Sequence, residues 1–207
     1  MRPSTAVRNL AAAFAIVLLF APEIAAPQSP APTRIRGEIQ AVQDDALTVR
    51  ERSGESVRLT LSEPLAVLAV VKADIGRIAP GSYIGSAALP QSDGTLKALE
   101  VVVFPEAMRG VGEGHYPWDL TPETTMTNAA VESVVGEVSG RVLKLKYKDG
   151  EKTLLVPPEA PIVTLEPGDR SLLKPGNHVF INAVRQPDGS LAASRIAVGK
   201  DGLVPPM

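Results

Sequence analysis

Glu106, Glu113, His115 and Asp119 fall within one short run of the chain, interleaved with Gly110, Gly112 and Gly114. Carboxylate oxygens and an imidazole nitrogen are ligands for divalent metal ions, and glycines let a backbone fold closely around one. Glu113, His115 and Asp119 form the tightest such set. Its spacing is weak, however, with a single His, no H-x-H or H-x₃-H pattern, and no Cys anywhere in the 207 residues. A bound divalent metal ion is therefore the alternative reading. The favoured one is an ordered loop in which Tyr116, Pro117 and Trp118 fill the gap between two flanking domains, while Glu113 and Asp119 make turn or cap hydrogen bonds. Trp118 is the only tryptophan, and beyond residue 26 the other aromatics are Tyr83, Phe104, Tyr116, Tyr147 and Phe180. Two of these six rings lie within three residues of each other, so the pair either welds two domains or forms a recognition patch. Glu113, His115, Tyr116, Trp118 and Asp119 are the expected binding residues. No catalytic residue and no resident cofactor is expected.

The remaining chemistry is sparser. There is no G-x-S-x-G elbow, no H-E-x-x-H and no phosphate-cradling G-x-x-x-x-G-K-[ST] loop. The second histidine, His178, falls where the first half of the chain has Tyr83, which suggests a half-exposed strand position for both. Lys144, Lys146 and Lys148 alternate, with Tyr147 on the opposite face. Such a stripe could bind a glycan or oligonucleotide, but alternating lysines are more often the solvated face of a strand that resists edge pairing.

These residues sit between two segments with one plan. In the first, 34–42, 46–50 and 56–61 alternate apolar and polar residues as strands do, with Ile35, Ile39, Leu47, Val49, Val57, Leu59 and Leu61 on the inward side. The apolar run 65–71 fits a buried strand or a helix. Asp74 opens a possible helical turn over 72–78, closed by Pro80-Gly81, and strands over 82–89 and 95–104 follow around Asp93-Gly94. The second segment repeats the marks. Gly37-Glu38 matches Gly136-Glu137, Ser53-Gly54-Glu55 matches Asp149-Gly150-Glu151, Pro80-Gly81 matches Pro175-Gly176, and Asp93-Gly94-Thr95-Leu96 matches Asp188-Gly189-Ser190-Leu191. Three strands, a short link and two strands is the element order of an OB-like five-stranded barrel, with Gly37 or Gly136 at the bend of the first strand. The alternative is a pair of β-meanders packed as a sandwich.

With the paired G-E, the run 173–179, the D-G-[ST]-L hairpins and Ala193-Ser194-Arg195-Ile196 in view, both segments resemble a bacterial exported family of tandem OB-like β-domains of unknown function. The likeness is stronger over 132–199 than over 34–104. The central EAMRGVGEGHYPWDL, residues 106–120, resembles a group of alphaproteobacterial exported proteins sometimes labelled automatically as a metal-transport permease component. The resemblance implies fold and compartment and assigns no active residue. A permease needs several spanning helices, and no apolar segment after residue 26 is long enough for one.

Arg2 and Arg8 precede an apolar run over 10–20 and then small residues and prolines, the order of a secretory signal peptide over 1–26. The junction after Ala26 leaves Pro27 first and that after Ala31 leaves Pro32 first, so an uncleaved N-terminal anchor is the weaker alternative. Losing 1–26 leaves 19 of the 21 basic and 22 of the 23 acidic side chains, a net charge of −3, which disfavours polyphosphate partners. The absence of Cys removes disulfides, thiolate chemistry and a lipoprotein anchor. The expected organisation is a signal peptide (1–26), a Pro-rich tether (27–33), a barrel (34–104), an ordered joint (105–131), a second barrel (132–199) and a tail (200–207). The expected function is a non-enzymatic periplasmic binding or scaffold protein recognising an envelope protein through the joint and the adjoining barrel faces. Periplasmic metal binding or delivery is the alternative, and glycan or oligonucleotide binding the third reading.

Overall fold

The computed structural model describes residues 32–137 and 140–207, so the expected signal peptide and most of the tether lie outside the described residues. The described chain is all-β. Thirteen strands run in chain order as β1 (Thr33–Gln43), β2 (Ala46–Glu51), β3 (Ser56–Lys72), β4 (Tyr83–Pro90), β5 (Leu96–Ala98), β6 (Val101–Val103), β7 (Gly114–Pro117), β8 (Thr125–Glu137), β9 (Gly140–Tyr147), β10 (Gly150–Val156), β11 (Ile162–Pro167), β12 (His178–Arg185) and β13 (Leu191–Gly199). Three single helical turns, Ile75–Arg77, Glu106–Met108 and Arg170–Leu172, punctuate them. No helix of the described residues is long and apolar enough to cross a membrane.

The inward residues read from alternation are inward. Ile35, Ile39, Leu47, Val49 and Leu59 are buried in one core with Ile181 and Ile196 from the far end of the chain. That company reveals the topology. Antiparallel β1–β2 and β2–β3 pairs, a parallel β3–β13 pair, and antiparallel β13–β12 and β12–β1 pairs close a five-stranded barrel. The same succession of pairings runs β8–β9, β9–β10, β10–β5, β5–β4 and β4–β8, closing a second ring around Ile84, Leu143, Leu145 and Leu154.

Each ring thus takes three strands from one half of the chain and two from the other, and neither closes within 34–104 or 132–199 alone. The cause is β3. Its 17 residues, about 55 Å at the usual strand rise, serve the first ring as far as Val67, still buried in the first core, and then carry the chain beyond it. The apolar run 65–71 is therefore strand, and the elements after it land on the other ring. Beyond the rings, β3 and β11 pair antiparallel, Val70 opposite Leu165, with β13 and β6 on their outer sides. This shared four-stranded layer joins the rings through Val70, Val102, Val163, Leu165 and Ala197.

Several turn expectations hold in detail. Asp74 and Asp169 each accept a hydrogen bond from the backbone N–H two residues on, at 2.6 and 2.7 Å, opening their helical turns. Asp93 and Asp188 hold the following hairpins identically, at 2.9 Å to backbone and 2.7 Å to hydroxyl. Other expectations need correction. Gly37 does sit mid-strand, where a Cβ would run into the Arg50 carbonyl, but Gly136 lies near the end of β8 with open space around it. The mid-strand place opposite β4 belongs to Ala129, which pairs with Ile84 as Gly37 pairs with Val179. The strand expected over 95–104 is broken by a bulge at Leu99 and Glu100, whose N–H groups both point to the Ala87 carbonyl. β8 begins at Thr125, so the end of the expected joint is strand.

Candidate functional site

Residues 104–124 leave the shared sheet after β6, reach across to the first ring and return to the second at β8, and two carboxylates fasten this crossing. Glu113 Oε1 accepts from the Lys148 N–H at 2.9 Å, tying the start of the crossing to the β9–β10 turn of the second ring. Asp119 accepts from Arg36 at 2.7 Å and pairs with Arg34 at 3.4 Å, tying its end to β1 of the first. Although partial burial works the other way, these arginines hold the Asp119 carboxyl below its usual range. Glu106 pairs locally with Arg109, which also donates to the Gly81 carbonyl at 2.8 Å.

Between the two fastenings lies β7, and strand alternation sorts its side chains. His115 faces Thr127, Nδ1 to Oγ1 at 2.8 Å, and burial followed by the nearby Lys152 charge lowers its pKa. Tyr116 and Trp118 face the other way. There they meet edge to face with centroids 6.2 Å apart, and Trp118 lies a further 6.2 Å from Phe180 of the first ring. The Arg34 guanidinium stacks over the indole at 3.9 Å.

Glu113, His115 and Asp119 are not brought together as one ligand set. Glu113 is engaged with the second ring, Asp119 with two arginines of the first, and His115 with a hydroxyl on the opposite side of β7 from Tyr116. Among the described residues no group of three or more His, Asp and Glu side chains is placed to hold a metal ion. Closeness in sequence failed because only His115 lies on β7, while Glu113 and Asp119 flank it and are drawn to opposite rings. His178 is half-buried on β12, whereas Tyr83 is buried and donates to the Val111 carbonyl at 3.2 Å, so the half-exposed position expected for both holds only for His178. Lys144, Lys146 and Lys148 are exposed, but β9 lies between β8 and β10 and is not an edge.

What the structure does bring together is a cleft of about 580 Å³ where the crossing segment roofs the shared sheet. Its floor comes from four strands through Leu68, Val102, Leu165 and Ala197. Tyr116 and Trp118 line it, and Met126 and Asn128 of β8 join them. The third residue of β12 is Phe180, which fills its place on the cleft wall, and the third residue of β4 is Gly85, over which Asn128 and Phe104 pack instead. A Cβ on Gly85 would come within 2.5 Å of Asn128 Oδ1 and 2.9 Å of the Phe104 ring.

Two polar atoms here are buried without a partner, Trp118 Nε1 and Asn128 Oδ1. The Asn128 amide orientation is fixed by its neighbours. Its nitrogen donates to the Val111 carbonyl at 3.2 Å and lies 3.3 Å from the Tyr116 hydroxyl, so its oxygen must face the Gly85 side. Behind β4 lies a third such atom, Glu100 Oε2. Glu100 is 1% exposed, and its other oxygen accepts from the Ala87 N–H at 3.1 Å. Burial pushes this carboxyl up to about 7, against the opposing pull of the Ala87 N–H and the Arg36 charge.

Gly85, Phe104, Asn128, Phe180 and Arg195 were not expected from sequence. One local signal pointed toward the first of them. In Tyr83-Ile84-Gly85-Ser86-Ala87-Ala88 both strand faces carry small or apolar residues, so neither face is solvated and something packs closely on each. No protein-family model, curated protein or solved structure matches this chain.

Proposed function

We propose that this chain is a non-enzymatic binding protein of the bacterial envelope, built from two OB-like five-stranded barrels of duplicated origin and exported by the signal peptide over 1–26. Its partner is an envelope protein that docks at the joint between the barrels. The observation that carries the reading is the cleft itself. An aromatic pair, an apolar floor and buried polar groups without partners meet in a space of about 580 Å³, within the size range of ligand sites. Fastenings at Glu113 and Asp119 hold that surface to both rings, so it is presented preformed.

The lining also supports a binding role over a catalytic one. Its ionisable side chains are Arg34, Arg195 and Tyr116, the last with its pKa raised mainly by burial. General acid–base catalysis near neutral pH draws on carboxylates and imidazoles, and the side chains of the described lining contribute neither. Duplication is supported by the matched aspartate-held turns and by the common order of strand pairings in the two rings. The test is capture from an envelope extract on immobilised wild type and Trp118→Ala, with both proteins confirmed folded by circular dichroism. A captured protein lost with the variant is expected. An identical captured set on both would overturn the joint as the recognition surface.

A further inference from the structure

The cleft is polarised. On the first ring's side its lining includes Arg34, Asn182, Ser194 and Arg195, all able to donate hydrogen bonds. On the second ring's side Phe104, Met108, Val111 and Met126 give it an apolar stretch, with Tyr116 and Asn128 as the polar residues beside them. We infer that the cleft takes a single-chain carboxylate amphipath, its head at the arginine end and its hydrocarbon chain over the shared sheet toward Met126. The inference rests on the reading of the cleft as a binding site and adds a small ligand to the protein partner proposed above.

Two arginines of unequal freedom argue for the anionic head. Arg34 is already stacked on Trp118 and paired with Asp119, which fixes it in place. Arg195 is exposed and, among the described residues, has neither an ion-pair nor a hydrogen-bond partner, so its charge is available. The Trp118 ring under Arg34 carries one more donor, its buried N–H, which has no acceptor among the described residues. A carboxylate answers all of these, since it accepts hydrogen bonds through both oxygens and pairs with guanidinium in a planar fork.

The other end argues for a slender apolar chain. Met108 and Met126 are unbranched and adapt to irregular shapes, and the floor beside them is built from Leu68, Val102 and Leu165. A bulky or highly polar ligand would strand its polar groups against Val102, Phe104 and Val111 without hydrogen bonds. The hydrocarbon chain of a fatty acid has no such groups.

The only tryptophan of the protein lines the cleft, so its emission reports occupancy directly. The full chain is titrated with decanoate, with decanol as the uncharged chain and with butyrate as the charge without the chain. Saturable binding of decanoate at one site, at least tenfold tighter than decanol, and no binding of butyrate are expected. Arg195→Gln, an exposed change that leaves the core intact, should weaken decanoate about tenfold and leave decanol unaltered. Ala197→Phe, which fills the floor, should abolish both in a protein whose circular dichroism is unchanged. Equal affinity for decanoate and decanol, indifference to Arg195→Gln, or no decanoate binding would each overturn the proposal. Failure here alongside loss of a captured partner in Trp118→Ala removes the amphipath and leaves the protein-binding reading standing. Decanoate binding with an unchanged captured set does the reverse.

Discussion

Glu100→Gln should make this protein more stable above neutral pH and leave it nearly unchanged in acid. The side chain is fully buried at the bulge between β5 and β6, with one oxygen bonded to the Ala87 N–H and the other without a partner. Its carboxyl titrates at about 7 in the fold, against 4.5 as the ordinary value. A raised acid holds its proton in the folded state while the unfolded chain has released it. Stability from this group is therefore fully present below about 4.5 and is lost as pH rises through about 7. The difference of roughly 2.5 pKa units corresponds to about 3 kcal/mol at 1.36 kcal/mol per unit. Gln keeps the acceptor for Ala87 and reproduces the protonated acid at the other position without its titration. Urea unfolding at pH 4, 6 and 8, followed by Trp118 emission and circular dichroism, should show a variant within about 1 kcal/mol of wild type at pH 4 and about 3 kcal/mol above it at pH 8. Taking the difference between the proteins cancels every other titrating group. Parallel stability profiles across the range, or a variant weaker than wild type at pH 8, would refute the assignment of a buried charge to Glu100.

Gly85→Ala puts a methyl against Asn128 Oδ1 and Phe104 and should cost about 1–3 kcal/mol, read as a lowered urea midpoint; an unchanged midpoint would show that these neighbours yield freely. A fragment ending at residue 104 lacks β12 and β13, which close its ring, so 33–104 and 105–207 should each be unfolded alone and gain β circular dichroism when mixed in equal amounts. Cooperative melting of 33–104 by itself would contradict the exchanged strands. Because Glu113, His115 and Asp119 have separate engagements, Zn²⁺ or Ni²⁺ should leave the melting temperature unchanged, and a saturable rise would favour the metal reading.

The strands and their inward faces were legible in the sequence because alternation and turn chemistry are local. Ile35, Ile39, Leu47 and Leu59 needed only their spacing to be placed inward, and Asp93-Gly94 and Asp188-Gly189 needed only their own side chains to mark hairpins. The contact between Tyr116 and Trp118 was legible for a similar reason, since large rings are few in this chain and pack where they can. Which strand closes which ring was decided by the tertiary structure. Alternation states that a strand has a buried face but names no neighbour, so the passage of β3 from the first ring into the shared sheet could not be read from 56–72. The cleft follows from that passage. Its lining is gathered from both halves of the chain, with Gly85 and Asn128 facing Phe180 and Arg195 only because the rings exchange strands. Hydrogen-bond pairing and apolar contact across such separations depend on where the whole backbone goes, whereas turns and alternation depend on a few adjacent residues.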